Sequence, residues 1–186
     1  MYVQVKHTLG DKDSRVRDSA IEAGKAIAST HGNEYVSIML PVCESWLEKH
    51  AATDERFDDQ RAGVAVFLGA LAAHLPRGDA RLQSVAGTLR DVLKTPAEDV
   101  QKAAADVLPD LIKAMDADEQ AALIKAMLSQ LVTSEGGFGA RKGAAMGLAS
   151  AVKGIGIVSL KKLGIMDALK AVSPPMGNCY FCTVVG

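Results

Sequence analysis

The chain has 186 residues, enough to bury one sizeable core or several small ones laid end to end. Aromatic residues make up only 4% and alanine is abundant, which argues for helices and against a sheet protein. With 21 basic and 22 acidic residues the net charge is −1, so bulk electrostatic attraction to nucleic acid or to a membrane surface is excluded as the basis of its action.

The first clear helical pattern follows LGDKDS. Asp13 or Ser14 can cap it, and Val16, Ala20, Ala23 or Gly24, and Ile27 form its apolar side up to His31-Gly32, read as a glycine stop. A partner helix begins after Asn33 and buries Val36, Met39, Leu40, Cys43, Trp46 and Leu47, with a kink expected at Pro41. An acidic turn from Thr53 to Asp59 leads into a helix from Arg61 to Leu75. After Pro76-Arg77-Gly78-Asp79 the next helix carries Leu82, Val85, Leu89, Val92 and Leu93. Thr95-Pro96-Ala97-Glu98 reads as a helix start, with Thr95 at the cap, Pro96 in the first turn and an acid near the positive dipole end. The helix from Ala97 to Met115 carries Val100, Ala104, Val107, Leu108, Leu111 and Ile112, with a second kink expected at Pro109. Another, opening at Asp116 to Glu119, carries Leu123, Ile124, Met127, Leu128 and Leu131.

The stretch from Phe138 to Leu169 shows the pattern most clearly. Ala144, Leu148, Val152 and Ile155 form a buried side. A second stripe of Ala140, Gly143, Gly147, Ala151 and Gly154 is nearly without side chains, so a neighbouring helix can approach the backbone there. Gly154 and Gly156 read as left-handed stops before a further apolar pattern over Ile157, Leu160, Leu163 or Gly164, and Leu169. The unit is helix, glycine stop, helix.

A basic or polar residue near the start of alternate helices falls at Arg17, Arg61, Gln101 and Arg141, separated by 44, 40 and 40 residues. Antiparallel helix pairs repeating at roughly 40 to 47 residues predict an all-α, HEAT-repeat α-solenoid; periods of 33 or 34 fit poorly. The expected organisation is an array of about four units over residues 1–172, the first and last incomplete, and an irregular tail over 173–186. Neither end supplies a polar capping repeat, so the chain reads as a piece of something longer.

Closer similarity lies in Arg141-Lys142-Gly143-Ala144-Ala145, in Gly147-Leu148-Ala149 and in Val152-Lys153-Gly154-x-Gly156-Ile157-x-x-Leu160-Lys161. Together with DQRAGVAVFLGALAAHL and LKTPAEDVQKAAADVLPDLIKAM, these runs resemble the very large HEAT-repeat translational activator of general amino-acid control. That family activates the kinase that phosphorylates initiation factor 2 alpha. The resemblance covers most of residues 13 to 171 and places the segment before a part similar to elongation factor three. It implies ribosome association, partnership with an ATP-binding-cassette protein and relay of uncharged-transfer-RNA status to the kinase; the parts that grip the kinase would lie outside this chain. After Ala171 the text departs from the family as VSPPMGNCYFCTVVG, which reads as a truncated or misread gene product.

The odd cysteine count (Cys43, Cys179, Cys182) gives no disulfide framework and points to a reducing, cytoplasmic compartment. Lys6 and His7 interrupt any secretory core, and the longest uncharged helical run, Ala62 to Pro76, is shorter than the roughly 20 residues of a membrane span, so no membrane role is expected. Cys179-x-x-Cys182 has a redox or zinc spacing but stands alone. Gly136-Gly137-x-Gly139 lacks the strand and the Gly-Lys-Ser/Thr of a phosphate loop, and the four histidines are too dispersed to pair as ligands. Asp54, Glu55, Asp58 and Asp59 lack the glycine of a calcium loop and read as solvated caps, and Trp46 reads as core. No nucleophile–base pairing presents itself, so a non-enzyme without cofactor or metal is expected.

What remains is a surface. From Ser134 onward the local charge is +4, against −5 for residues 1–133. Arg141, Lys142, Lys153, Lys161 and Lys162 are the candidate contact for the ribosome or a protein partner of the translational stress pathway. The expected function is a scaffold associated with ribosomes and with kinase activation in amino-acid starvation. The alternative is a TOG-like adaptor binding tubulin or transport cargo through the turns at 10–14, 51–58, 95–98 and 134–139.

Overall fold

The computed structural model describes residues 8–50, 54–132 and 137–172. Its helices are α1 (Ser14–Lys49), α2 (Asp58–Ala72), α3 (Ala80–Val92), α4 (Glu98–Ala114), α5 (Ala117–Val132), α6 (Gly137–Ile155), the short α7 (Ser159–Lys162) and α8 (Ile165–Val172), with a 3-10 turn at Glu55–Phe57 before α2. No strand occurs among the described residues. The irregular tail expected over 173–186, with its Cys179-x-x-Cys182, lies outside them.

Helix α1 is one run of helical hydrogen bonding 36 residues long, yet it is not straight. Gly24 lies against Phe67 and Gly32 against His74, so this part of the chain advances along α2 toward its C-terminal end. Trp46 and His50 then pack on Phe57, just before α2 begins, with ring centroids 6.3 and 4.7 Å apart. The chain therefore reverses after Gly32, and the two halves of α1 are the two helices of the expected hairpin. The glycine stop does not form: Gly32 is not among the glycines of positive φ. Glycine is needed there because a Cβ would overlap the His74 ring, whose Nδ1 also lies 3.2 Å from Asn33 Oδ1.

With α1 divided in this way, the helices form two layers. The first half of α1, α2, α4 and α6 stack in one, and the second half of α1, α3, α5 and α8 lie in the other. Each interlayer contact buries one stripe per helix: Leu40, Cys43 and Leu47 in α1, Leu68 and Leu71 in α2, Leu82, Val85 and Leu89 in α3, Leu108 and Ile112 in α4, and Ile124 and Met127 in α5. Burying such side chains contributes roughly 1.5–3 kcal/mol each, so the core is a continuous strip between the layers. Side-chain bonds between successive units also keep the repeat. Asn33–His74, Ser37–Arg81, Glu44–Ser84, Glu98–Lys142 and Gln101–Gly139 span 41, 44, 40, 44 and 38 residues. This is an α-solenoid with the expected period.

The near-bare stripe of α6 meets its neighbour as the sequence implies. A Cβ on Gly143 would overlap the Leu93 carbonyl oxygen, and one on Gly147 would sit 2.5 Å from Leu93 Cδ1. Gly154 packs as its place in the stripe implies, with a Cβ there only 2.5 Å from the Pro109 carbonyl oxygen, and it is not a stop. Gly156, with φ of 84°, is the stop. The apolar side expected for the start of α1 also shifts. Gly24, Ala28 and Gly32 are buried, whereas Val16 remains 38% exposed, because α2 covers only that other line of the helix.

Candidate interaction surface

The turns that could meet a partner are held by side chains at the repeat positions. Arg17 Nη1 donates to the Asp11 and Lys12 carbonyls at 2.7 and 3.2 Å, tying down the turn before α1. Arg61, only 2% exposed, donates to the Asp54 carbonyl and, at 2.5 Å, to the Asp58 carboxylate. Fully buried Gln101 reaches three carbonyls from one Nε2: Leu93 at 3.2 Å, Thr95 at 2.7 Å and Gly139 in the next unit at 2.8 Å. This Gln101 clasp replaces the cap expected at Thr95. The N-cap of α4 is Ala97, without a side-chain bond, and Thr95 is buried. Arg141, fourth in the series, is exposed instead.

A second device pairs caps such as Asp13 and Asp54, legible in the sequence, with arginines that were not. Asp13-x-Arg15, Asp54-x-Arg56 and Asp79-x-Arg81 each place an aspartate at an N-cap, where it accepts from the backbone N–H two residues on and pairs with that residue's guanidinium at 2.7–2.8 Å. The guanidinium bonds hold Asp54 and Asp79 at about 2. Burial pushes Asp58 the other way, upward, against the pull of Arg61. The recurring Asp-x-Arg tripeptide was the available signal.

The five candidate cations do not form one patch. Arg141 and Lys142 occupy the first turns of α6 and Lys153 its last, about 18 Å further along at 1.5 Å per residue. Lys142 is half-buried and bonded to Glu98 at 2.5 Å; the same carboxylate takes Lys102 at 2.8 Å and is held at about 2 by Lys102 and then Lys142. That pair joins two units and is structural. Lys153, Lys161 and Lys162 are exposed at the other end, around the turn opened by Gly156. Between them stand Ile157 and Val158, 76% and 69% exposed.

The other sequence candidates fall into structural roles. Trp46 is 6% exposed and stacked on His50, with centroids 4.3 Å apart. Cys43 is buried, and burial pushes its thiol up to about 12. Gly139 packs against Pro96. Among the described residues no cluster of three or more His, Cys, Asp or Glu is placed to hold a metal, and no helix is long and apolar enough to cross a membrane.

A family model described as the HEAT repeats of the stalled ribosome sensor GCN1 matches residues 1–73. The chain is 41% identical over 166 residues to the protein ILITYHIA of Arabidopsis thaliana, and 39% identical over 165 residues to the stalled ribosome sensor GCN1 of Homo sapiens. It is 32% identical over 164 residues to the eIF-2-alpha kinase activator GCN1 of Saccharomyces cerevisiae. The chain carries GCN1-family HEAT repeats. These matches take in 89%, 89% and 87% of the chain but only 6% of each relative. The chain thus corresponds to a short stretch of the curated GCN1 proteins. No solved structure matches it.

Proposed function

We propose that this chain is a non-catalytic scaffold segment that works in the cytoplasm on ribosomes, within the pathway that activates the initiation factor 2 alpha kinase. The similarity to proteins named stalled ribosome sensor and kinase activator supports this reading along most of the chain. The observation that carries it to particular residues is the exposed cationic end of α6. Lys153, Lys161 and Lys162 stand in solvent, and Asp167, the acid that follows them in the chain, is engaged by Lys170. An array whose polar side chains are spent on clasping its own turns acts by presenting a surface.

Sucrose-gradient sedimentation of the purified chain with ribosomes, at low and raised salt, tests this. Co-migration that weakens with salt and is lost when Lys153, Lys161 and Lys162 are changed to Glu is the expected result. A variant limited to Lys161→Glu and Lys162→Glu should lose most of that binding, whereas Arg141→Glu alone should lose little. A chain that never leaves the top of the gradient would remove the ribosome from the account.

A further inference from the structure

The turn between α6 and α8 is anchored on both sides, yet its crown is apolar and open. Ile155 and Leu163 are partly buried against the core, Ile165 is fully buried, and Gly156 and Gly164, with φ of 84° and 63°, fix the two corners. The anchoring residues point inward. Ile157 and Val158, in the same short segment, remain 76% and 69% exposed. Lys153, Lys161 and Lys162 are exposed around them, and none of the three enters an ion pair among the described residues.

The chemistry of this crown discriminates between partner classes. Phosphate oxygens are met by cations and by N–H and O–H donors, and unpaired bases chiefly by aromatic or guanidinium planes, so two exposed branched aliphatic side chains add little to an RNA contact. A protein groove with an apolar floor and an acidic rim matches both features, since aliphatic burial supplies affinity and the lysines supply register. We propose that the Gly156–Gly164 turn is a docking tip for such an acid-rimmed apolar groove on a partner protein, so that the contact made here on the ribosome is with protein rather than with RNA. This deepens the ribosome reading above and rests on it.

The test compares the full chain with two variants, Ile157→Ser/Val158→Ser and the conservative Ile157→Leu/Val158→Ile, against intact ribosomes and against protein-stripped ribosomal RNA at about 150 mM salt. The expected result is binding to ribosomes but not to stripped RNA. The serine pair should weaken ribosome binding about tenfold or more, with thermal unfolding unchanged, while the conservative pair binds as the parent does. If the parent binds ribosomes and the serine pair binds equally well, or if stripped RNA is bound as tightly as ribosomes, the docking tip is wrong while the ribosome reading stands. If the parent binds no ribosomes, both fall together.

Discussion

Gln101 and Gly143 show how single positions hold two units together. The Gln101 amide donates to the Leu93 and Thr95 carbonyls of the turn before α4 and to the Gly139 carbonyl of the next unit, and the bare Gly143 lies directly against the Leu93 carbonyl. Gln101→Ala should lower unfolding free energy by at least about 2 kcal/mol in urea, because buried carbonyls lose their donor. Gly143→Ala should cost about 1–3 kcal/mol through overlap with backbone. Gly87→Ala, in α3 with open space around it, should instead stabilise by about 0.5–1 kcal/mol. Opposite signs at two helical glycines distinguish close packing from helix propensity. The capping carboxylates set the acid response. Asp54, Asp79 and Glu98 have folded pKa values of about 2, below the unfolded carboxylate range near 4. Their contribution is complete above about pH 4 and is lost as pH falls through about 2. Urea midpoints measured at pH 7, 4 and 2.5 should decline over that window, and Asp79→Asn should make the decline shallower. Glu98 is exposed and Asp54 and Asp79 remain partly open to solvent, so each contribution is modest.

At the scale of elements, the hairpin within α1 depends on its corner. A Cβ at Gly32 meets His74, so Gly32→Ala should open the corner and reduce amide hydrogen-exchange protection over 28–40 while leaving 98–112 unchanged. Cys43, buried in the second half of α1 with its thiol pushed up to about 12, should resist thiol reagents in the folded protein and become labelled once that hairpin opens. Mass-spectrometric mapping of labelled Cys43 in the parent and in Gly32→Ala reads this directly. Helices α2 to α6 were legible in the sequence to within a few residues, because their apolar spacing and their Pro, Gly or Asp punctuation agree. The caps and stops were less legible. Gly32 looks like a left-handed corner in a linear text, and only the neighbouring helix shows that it is a point of close approach, whereas Gly154 was also legible as part of the bare stripe. Thr95 likewise looks like a cap until Gln101, six residues on, takes its carbonyl.

Over the whole molecule, the period of about 40 residues was readable because Arg17, Arg61 and Gln101 serve the same purpose in successive units, and that purpose recurs in space as the side-chain bonds between units. The basic character of the last unit was readable too, but its grouping was not. Net charge along the text cannot show that Lys142 is used by Glu98, or that about 18 Å of α6 separates Arg141 from Lys153. Nor does apolar periodicity reveal that Ile157 and Val158 face outward, since they continue the same run of residues that anchors Ile155 and Ile165. What results is a self-clasped array whose last turn presents Ile157 and Val158 among Lys153, Lys161 and Lys162, and the central claim is that this turn meets the partner. Hydrogen–deuterium exchange of the chain, free and bound to ribosomes, tests that claim most directly. Protection on binding confined to peptides spanning 153–165, with the turns at 10–14 and 95–98 unchanged, is the predicted result. Protection at those turns with none over 153–165 would contradict it and favour an adaptor that works through its inter-helix turns.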